Sequence, residues 1–348
     1  MKSKVRHRSD SLVGWCKHWE LWFVLALILT LILRGAAILS WGWGNAGMVM
    51  LEQALFATPG RRAQDIAARA EMLLRQAMVY APGSRSTWRG LGFALAIQGR
   101  EDEAVTAWQS AGGMGEKFIQ WGEEARSEGQ YEEALKWYDW SLRVDSGLGD
   151  PWYYRGLVYE VMGRWEEALE AYKRAIEAGV FVHIGRSSPY YRMGRIYQWW
   201  LEPRQVDAAL RAYEAAIEAS DFGANWEAAD CHYKRGEIYS WQGRDPRESI
   251  RDYQQAISLN PNHHWAHLRL GYALYQVYGD VALAERVIGQ AIDLWPDDRD
   301  RKWPYRFLGD IYRESGMIDK AIVAYQDVLR FDPNDAHAQN ILRMLREE

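Results

Sequence analysis

One residue pattern returns seven times along this 348-residue chain and leaves few folds open. A bulky or long residue precedes a glycine in Leu91-Gly92, Trp121-Gly122, Arg155-Gly156, Met193-Gly194, Arg235-Gly236, Leu270-Gly271 and Leu308-Gly309. An aromatic or Leu usually follows three residues later, as at Leu95, Tyr159, Tyr197, Tyr239, Leu274 and Tyr312. Then comes a small residue, a bulky one four on, and usually another small one three later. These read Ala104/Trp108/Ala111, Ala134/Tyr138/Ser141, Ala168/Tyr172/Ala175, Ala209/Tyr213/Ala216, Ser249/Tyr253/Ala256, Ala284/Ile288/Ala291 and Ala321/Tyr325/Val328. Spacings of three and four mark one face of an α-helix. Each period therefore holds two helices. Gly99-Arg100, Gly129-Gln130, Gly163-Arg164 and Gly243-Arg244 end the first helix with a residue suited to a left-handed cap. Pro261, Pro296 and Pro333 close three units. A hairpin with two apolar faces needs a neighbour on both sides, so the pattern predicts a stack.

The starts Trp88-Arg89-Gly90-Leu91-Gly92 and Trp152-Tyr153-Tyr154-Arg155-Gly156, followed by a small residue, a bulky one four on and a terminal Pro, carry a specific likeness. Over residues 51 to 335 the chain resembles the tetratricopeptide repeat (TPR) family. The resemblance implies an all-α solenoid of helical hairpins wound into a right-handed superhelix. It would comprise a degenerate first repeat at 44–84, seven units at 85–334 and a capping helix at 335–348. Ala70/Leu74/Ala77/Pro82 marks the second helix of the degenerate unit. The glycine spacing departs from an even period, running from 30 to 42 residues. Extra residues at Leu201-Glu202-Pro203, at Asp245-Pro246 and in the loops 179–187, 220–228 and 297–302 are expected to disturb the superhelix and to offer contact sites.

Ahead of the repeats lies a stretch of different character. Lys2, Lys4, Arg6, Arg8 and Lys17 face one acid, Asp10, in a basic tail at 1–18. Leu21 to Leu33 is apolar throughout apart from Thr30, and the apolar character resumes after Arg34 through Leu39. Trp19 and Trp22 flank one end and Trp41 and Trp43 the other, as interfacial aromatics do. Trp19 to Leu39 is about 31 Å of helix, enough to span a bilayer. Residues 19–43 are read as one transmembrane signal anchor, with Arg34 snorkelling to the near interface. The alternative is a cleaved signal peptide, for which Gly35 and Ala37 place small residues before a cut at Ile38. Five basic residues precede the span and the next ones after it are Arg61 and Arg62. That bias predicts a cytoplasmic N-terminus, the cytoplasmic (inner) membrane as the site, and an extracytoplasmic repeat region. Cys16 and Cys231 then lie on opposite sides and cannot pair.

A net charge of −5 argues against a broad nucleic-acid-binding surface, and two cysteines exclude a disulfide scaffold. The aromatic balance is unusual: 19 Trp and 20 Tyr against 8 Phe. The boundary region and the repeat framework account for ten Trp. Of the other nine, Trp199, Trp200, Trp226, Trp241, Trp265, Trp295 and Trp303 lie beyond residue 190. In TPR arrays the first helix of each unit lines the concave face. Transferring the family's contact positions implies a partner-binding groove of Tyr153, Tyr191, Arg195, Gln198, Trp199, Tyr233, Glu237, Trp241, Trp265, Tyr272, Tyr275, Trp303, Arg306, Asp310 and Arg313. Tyr and Trp offer large contact area with few rotors and a polar edge. Some of these aromatics can equally be packing between neighbouring helices. The groove does not resemble the carboxylate-clamp subclass, which needs Lys and Asn where this chain has Tyr153, Leu157, Tyr191 and Tyr233.

Gly42-Trp43-Gly44-Asn45-Ala46-Gly47 matches G-x-G-x-x-G without a strand before it, and is read as a chance match and a flexible exit from the span. His263 and His267 stand four apart, as zinc ligands can, but His267 and His232 fall on framework positions, so packing is the expected role and no metal site is assigned. Asp297 to Asp300 lacks the Gly and terminal Glu of a calcium loop. No nucleophile elbow, Walker loop or HExxH is present. The expectation is a non-catalytic, membrane-anchored scaffold without cofactor that binds a protein or peptide partner. The alternative is a glycan-handling accessory of exopolysaccharide or cell-envelope assembly.

Overall fold

The computed structural model describes residues 10–56, 60–201, 203–243, 245–297 and 300–347, with the backbone alone at 10–28, 31, 55, 56 and 347. Among these residues there are seventeen α-helices and no β-strand. The chain divides into two compact units, Met1–Ser146 and Gly147–Glu348. The first holds α1 (Asp10–Phe56), α2 (Arg61–Tyr80), α3 (Arg85–Ile97), α4 (Glu101–Ala111), α5 (Met114–Ser127) and α6 (Tyr131–Val144). The second holds α7 (Asp150–Val161), α8 (Trp165–Ala178), α9 (Ser187–Trp199), α10 (Val206–Ala219), α11 (Asn225–Trp241) and α12 (Pro246–Leu259). It continues with α13 (His264–Tyr278), α14 (Val281–Leu294), α15 (Lys302–Glu314), α16 (Ile318–Phe331) and α17 (Ala336–Glu347). Helices pair in order as hairpins, α3 with α4 through α15 with α16.

The glycines of the repeat explain how the two helices of a hairpin meet. A Cβ on Gly92 would lie 2.3 Å from Nε1 of Trp108, and one on Gly156 would lie 2.4 Å from the Tyr172 ring. The same residue pairs recur as Gly122 with Tyr138, Gly194 with Tyr213, Gly236 with Tyr253, Gly271 with Ile288 and Gly309 with Tyr325. The bulky residue of the second helix thus lies flat on a bare patch of the first, and is buried there. Its polar edge then reaches the first helix. Tyr138 donates to Glu123 (2.6 Å), Tyr172 to Glu160 (2.5 Å), Tyr213 to Gln198 (2.8 Å), Tyr325 to Asp310 (2.6 Å) and Trp108 to the Arg89 carbonyl (3.3 Å). A Phe would fill the space but forfeit these hydrogen bonds. This is one physical reason the chain prefers Tyr and Trp to Phe. Gly99 (φ 78°) and Gly163 (φ 69°) follow first helices in the left-handed region, as their sequence setting predicts.

Core clusters run from hairpin to hairpin. Tyr153, Tyr172, Met193 and Ile196 form one; Tyr191, Tyr213, Cys231 and Ile238 the next; Tyr233, Tyr253, Leu270 and Leu274 a third. Each cluster joins adjacent units only, the nearest-neighbour arrangement of a repeat protein. α17 buries Ala338, Leu342 and Leu345 over the last cluster and leaves Arg343 and Arg346 outside.

Two loops expected to offer contact sites are latched at their backbone, while Val180 and Val182 stay exposed. Asp150 is fully buried, and its carboxylate accepts from the N–H groups of Val182 (2.8 Å) and His183 (2.7 Å). Asp221 accepts from the N–H groups of Arg186 (2.9 Å) and Ser187 (2.8 Å) and from the Ser187 hydroxyl (2.7 Å). A Cβ on Gly185 would lie 1.4 Å from the Asp221 carbonyl oxygen. The 220–228 loop is also shorter than expected, because α11 starts at Asn225.

α1 departs from expectation at Gly42 to Gly47, which is helical rather than a flexible exit. A Cβ on Gly47 would lie 2.7 Å from Cγ of Leu74, so the glycine lets α1 close on α2. With Leu51 and Ala54 also buried, the end of α1 is the first helix of the degenerate hairpin. The basic residues at 1–9 lie outside the described residues, as do the side chains of 19–28 in the apolar run. Among the described residues no helix is long and apolar enough to cross a membrane.

Candidate functional site

In the second unit a recess of about 460 Å³ opens at α9, α11 and the turn between α12 and α13. Tyr191, Arg195, Trp199 and Trp200 come from the α9 region, Trp226, Asp230 and Lys234 from α11, and Asn260 and His263 from the turn. α11 carries its three residues at intervals of four, which places them on one helix face. Trp199, Trp226 and Trp241 are 37%, 50% and 47% exposed, unusual values for indoles. Trp199 meets Trp241 edge-to-face at 5.6 Å, and Trp226 meets Tyr191 edge-to-face at 6.1 Å. Lys234 Nζ lies 5.5 Å from the Trp199 ring and Arg204 lies 5.3 Å from it. Trp200 stacks on Trp165 at 4.6 Å.

At the floor Tyr191 is buried and donates to Asp230 at 2.6 Å. His263 accepts the Ala266 N–H through Nδ1, which leaves the Nε2 proton facing Asp230 at 3.6 Å. Burial alone would raise the Asp230 pKa. The His263 ring, the Lys234 charge and the Tyr191 hydroxyl outweigh it and hold the carboxyl below the usual range. Burial, reinforced by the Asp230 charge, pushes the Tyr191 phenol well up, so it stays a hydrogen-bond donor. The recess therefore offers flat apolar faces beside a fixed carboxylate and two cations, Arg195 and Lys234. Such a set can hold an aromatic or aliphatic side chain with polar groups next to it.

The other sequence-selected residues take different places. Tyr153, Gln198, Tyr233 and Glu237 are buried. Gln198 accepts the Tyr213 hydroxyl, and Glu237 takes Lys234 (3.0 Å) and Arg269 (3.4 Å). Both lie on helix faces turned into the stack. Trp265, Tyr272, Tyr275, Trp303, Arg306 and Arg313 form a separate strip over α13 and α15. There Trp265 contacts Trp295 at 4.8 Å, Tyr272 contacts Phe307 at 5.1 Å, and Arg306 lies 5.6 Å from the Trp303 ring. Ser315 donates to the Tyr275 hydroxyl at 3.0 Å, and Arg313 lies 4.0 Å from Asp310. The sequence gives no sign of Asp230, Lys234 or Asn260 and offers His263 only as a metal-ligand candidate, because a recess that joins one helix face to a turn has no spacing of its own. Trp226 was visible only as a Trp with no framework position.

The histidines serve packing and capping. His267 Nε2 lies 2.9 Å from the Pro261 carbonyl, and His264 lies edge-on to Trp295 at 4.6 Å. Among the described residues no group of three or more His, Cys, Asp or Glu could hold a metal ion.

Comparison with known proteins agrees with this architecture. The tetratricopeptide repeat family profiles match residues 150–178, 239–299 and 305–335. A TPR repeat-containing protein of Methanocaldococcus jannaschii is 24% identical over 233 residues, covering 62% of this chain and 37% of its own length. Protein STIP1 homolog of Dictyostelium discoideum is 24% identical over 174 residues, covering 41% of this chain and 29% of its own. The chain thus spans about a third of the length of these relatives. The structure of pilF from Pseudomonas aeruginosa shares the fold at a TM-score of 0.51 and 16% identity, covering 66% of this chain and 97% of that one. Hairpins built on a shared glycine–aromatic contact, together with three profile matches, make this chain a tetratricopeptide repeat protein.

Proposed function

We propose that this protein is a membrane-anchored scaffold that docks a protein or peptide partner in the recess of its second unit, outside the cytoplasmic membrane. Tetratricopeptide repeats are protein-interaction modules, and the reading narrows that role to one place. The observation that carries it is the exposure of Trp199 and Trp226 in the recess that holds the ionised Asp230, with Trp241 exposed against Trp199. Indoles left open to water beside a fixed charge are the usual anchors of a binding surface. Anchoring is supported by the apolar run from Leu21 to Leu33 with its Trp belts. It is supported too by Ile32, Leu33, Ile38 and Trp41, which are 60%, 61%, 68% and 72% exposed on α1 and so without protein cover.

A photo-crosslinking p-benzoylphenylalanine in place of Trp226, activated in native membranes, tests the docking site. The reading expects an adduct with one protein, absent when the same group replaces Val323 on the outer face of α16. Adducts equally abundant at both positions would contradict it. Adducts with polysaccharide alone would favour the glycan-handling alternative. The topology is tested by a reporter that is active only outside the cytoplasm, fused after Glu348. Activity is expected, and a stable but inactive fusion would reverse the orientation.

A further inference from the structure

The first unit holds a second recess, of about 590 Å³ and of opposite electrical character. Its wall is apolar: Leu51 of α1, Phe93 of α3, Trp121 of α5 and Trp137 of α6. Phe93 and Trp121 lie 5.8 Å apart, Trp121 meets Trp137 edge-to-face at 5.1 Å, and all three rings are only half-buried. Its rim is acidic. Glu124 on α5 and Glu128 at its C-cap stand one turn apart, Glu133 lines the recess from α6, and Arg89 is the one base lining it. Among the described residues none of these three carboxylates forms an ion pair, although Glu128 accepts a neutral hydrogen bond from Gln130 at 2.9 Å, whereas Glu123 beside them is held by Arg126 at 2.8 Å. Like charges at i and i+4 repel, so a cation placed between them relieves strain already present.

We infer that this recess binds an extended peptide whose large apolar or aromatic side chain is flanked by Lys or Arg. The ring wall, in a recess within the usual size range of ligand pockets, receives the apolar group. The three carboxylates, none of them paired with a cation, receive the cations and reject acidic segments. Charge complementarity commits the recess to this occupant. The second-unit recess, with Arg195 and Lys234 around one carboxylate, does not share that preference. The inference is independent of the docking role proposed for the second unit.

The test is fluorescence anisotropy on the full chain, using two labelled peptides of equal length: Trp flanked by lysines, and Trp flanked by glutamates. The lysine peptide should bind about tenfold tighter or more, and its affinity should fall as salt rises from about 50 to about 300 mM. Glu124→Gln, Glu128→Gln and Glu133→Gln together should weaken it about tenfold with unchanged circular dichroism. Glu128→Lys should narrow the preference between the two peptides, and Trp199→Ala should leave it intact. Equal affinity of both peptides, or full binding by the triple variant, would overturn the proposal. So would self-association through this face in place of peptide binding.

Discussion

A hydroxyl explains why Tyr rather than Phe stands at most of the second-helix positions. Tyr172 is fully buried and its hydroxyl meets Glu160, so Tyr172→Phe should lower stability by about 1–2 kcal/mol, read as a shift in the urea midpoint at neutral pH. Its partner glycine makes a sharper test. Ala is the better helix former by up to about 1 kcal/mol. At Gly156 the added methyl would meet the Tyr172 ring, which is fully buried with no room to withdraw. Sterics should win, and Gly156→Ala should destabilise by about 1–3 kcal/mol. A stabilised variant would contradict the packing described.

The same scale carries a pH prediction. Burial alone would raise the Asp252 pKa. Hydrogen bonds from His232 (3.0 Å) and from the Arg235 guanidinium (2.7 and 2.8 Å) outweigh it and hold the carboxyl below the usual range. The unfolded chain binds this proton first. The contribution is therefore complete above the unfolded value of about 3.9 and is lost as pH falls through the lower folded one. Melting temperatures of Asp252→Asn should consequently vary less between about pH 5 and about pH 3 than those of the parent protein. Equal slopes would remove Asp252 from the account. The glycine–aromatic partnership was legible in the sequence because both members recur at fixed spacing. The hydrogen bonds were not, since Glu123, Glu160, Gln198 and Asp310 share a role without sharing a residue type.

Among the elements, hairpins were legible and their exceptions were not. Gly42 to Gly47 reads as a break because three glycines weaken a helix. Tertiary contact overrides propensity there, since Gly47 is what lets α1 close on Leu74. Gly47→Leu should part the first hairpin while sparing the rest. Amide exchange should rise in α2 and stay unchanged in α15 and α16; unchanged exchange in α2 would refute that packing. The loops teach the converse. Extra length after α8 suggests a loose loop, but Asp150 and Asp221 gather the loop N–H groups. A lone aspartate in a loop gives no sign in sequence that it binds backbone.

For the whole molecule, the array divides at Ser146 into two units, and each contains a recess with its own chemistry. The aromatic excess beyond residue 190 lies in the second unit, where the proposed docking recess is. Transferring family contact positions, however, selected both open indoles and inward-facing groups such as Tyr233 and Glu237. Helix position says which way a side chain leaves the axis; whether water or a neighbouring helix meets it depends on hairpin packing. The central claim is that the open indoles of the second unit dock a partner. The most direct measurement is the affinity of the protein crosslinked at position 226 for the parent chain and for Trp199→Ala with Trp226→Ala, both checked by circular dichroism. The account predicts a loss of about 100-fold or more, since anchor residues are commonly worth 2 kcal/mol or more each. Unchanged affinity in a correctly folded double variant would contradict it.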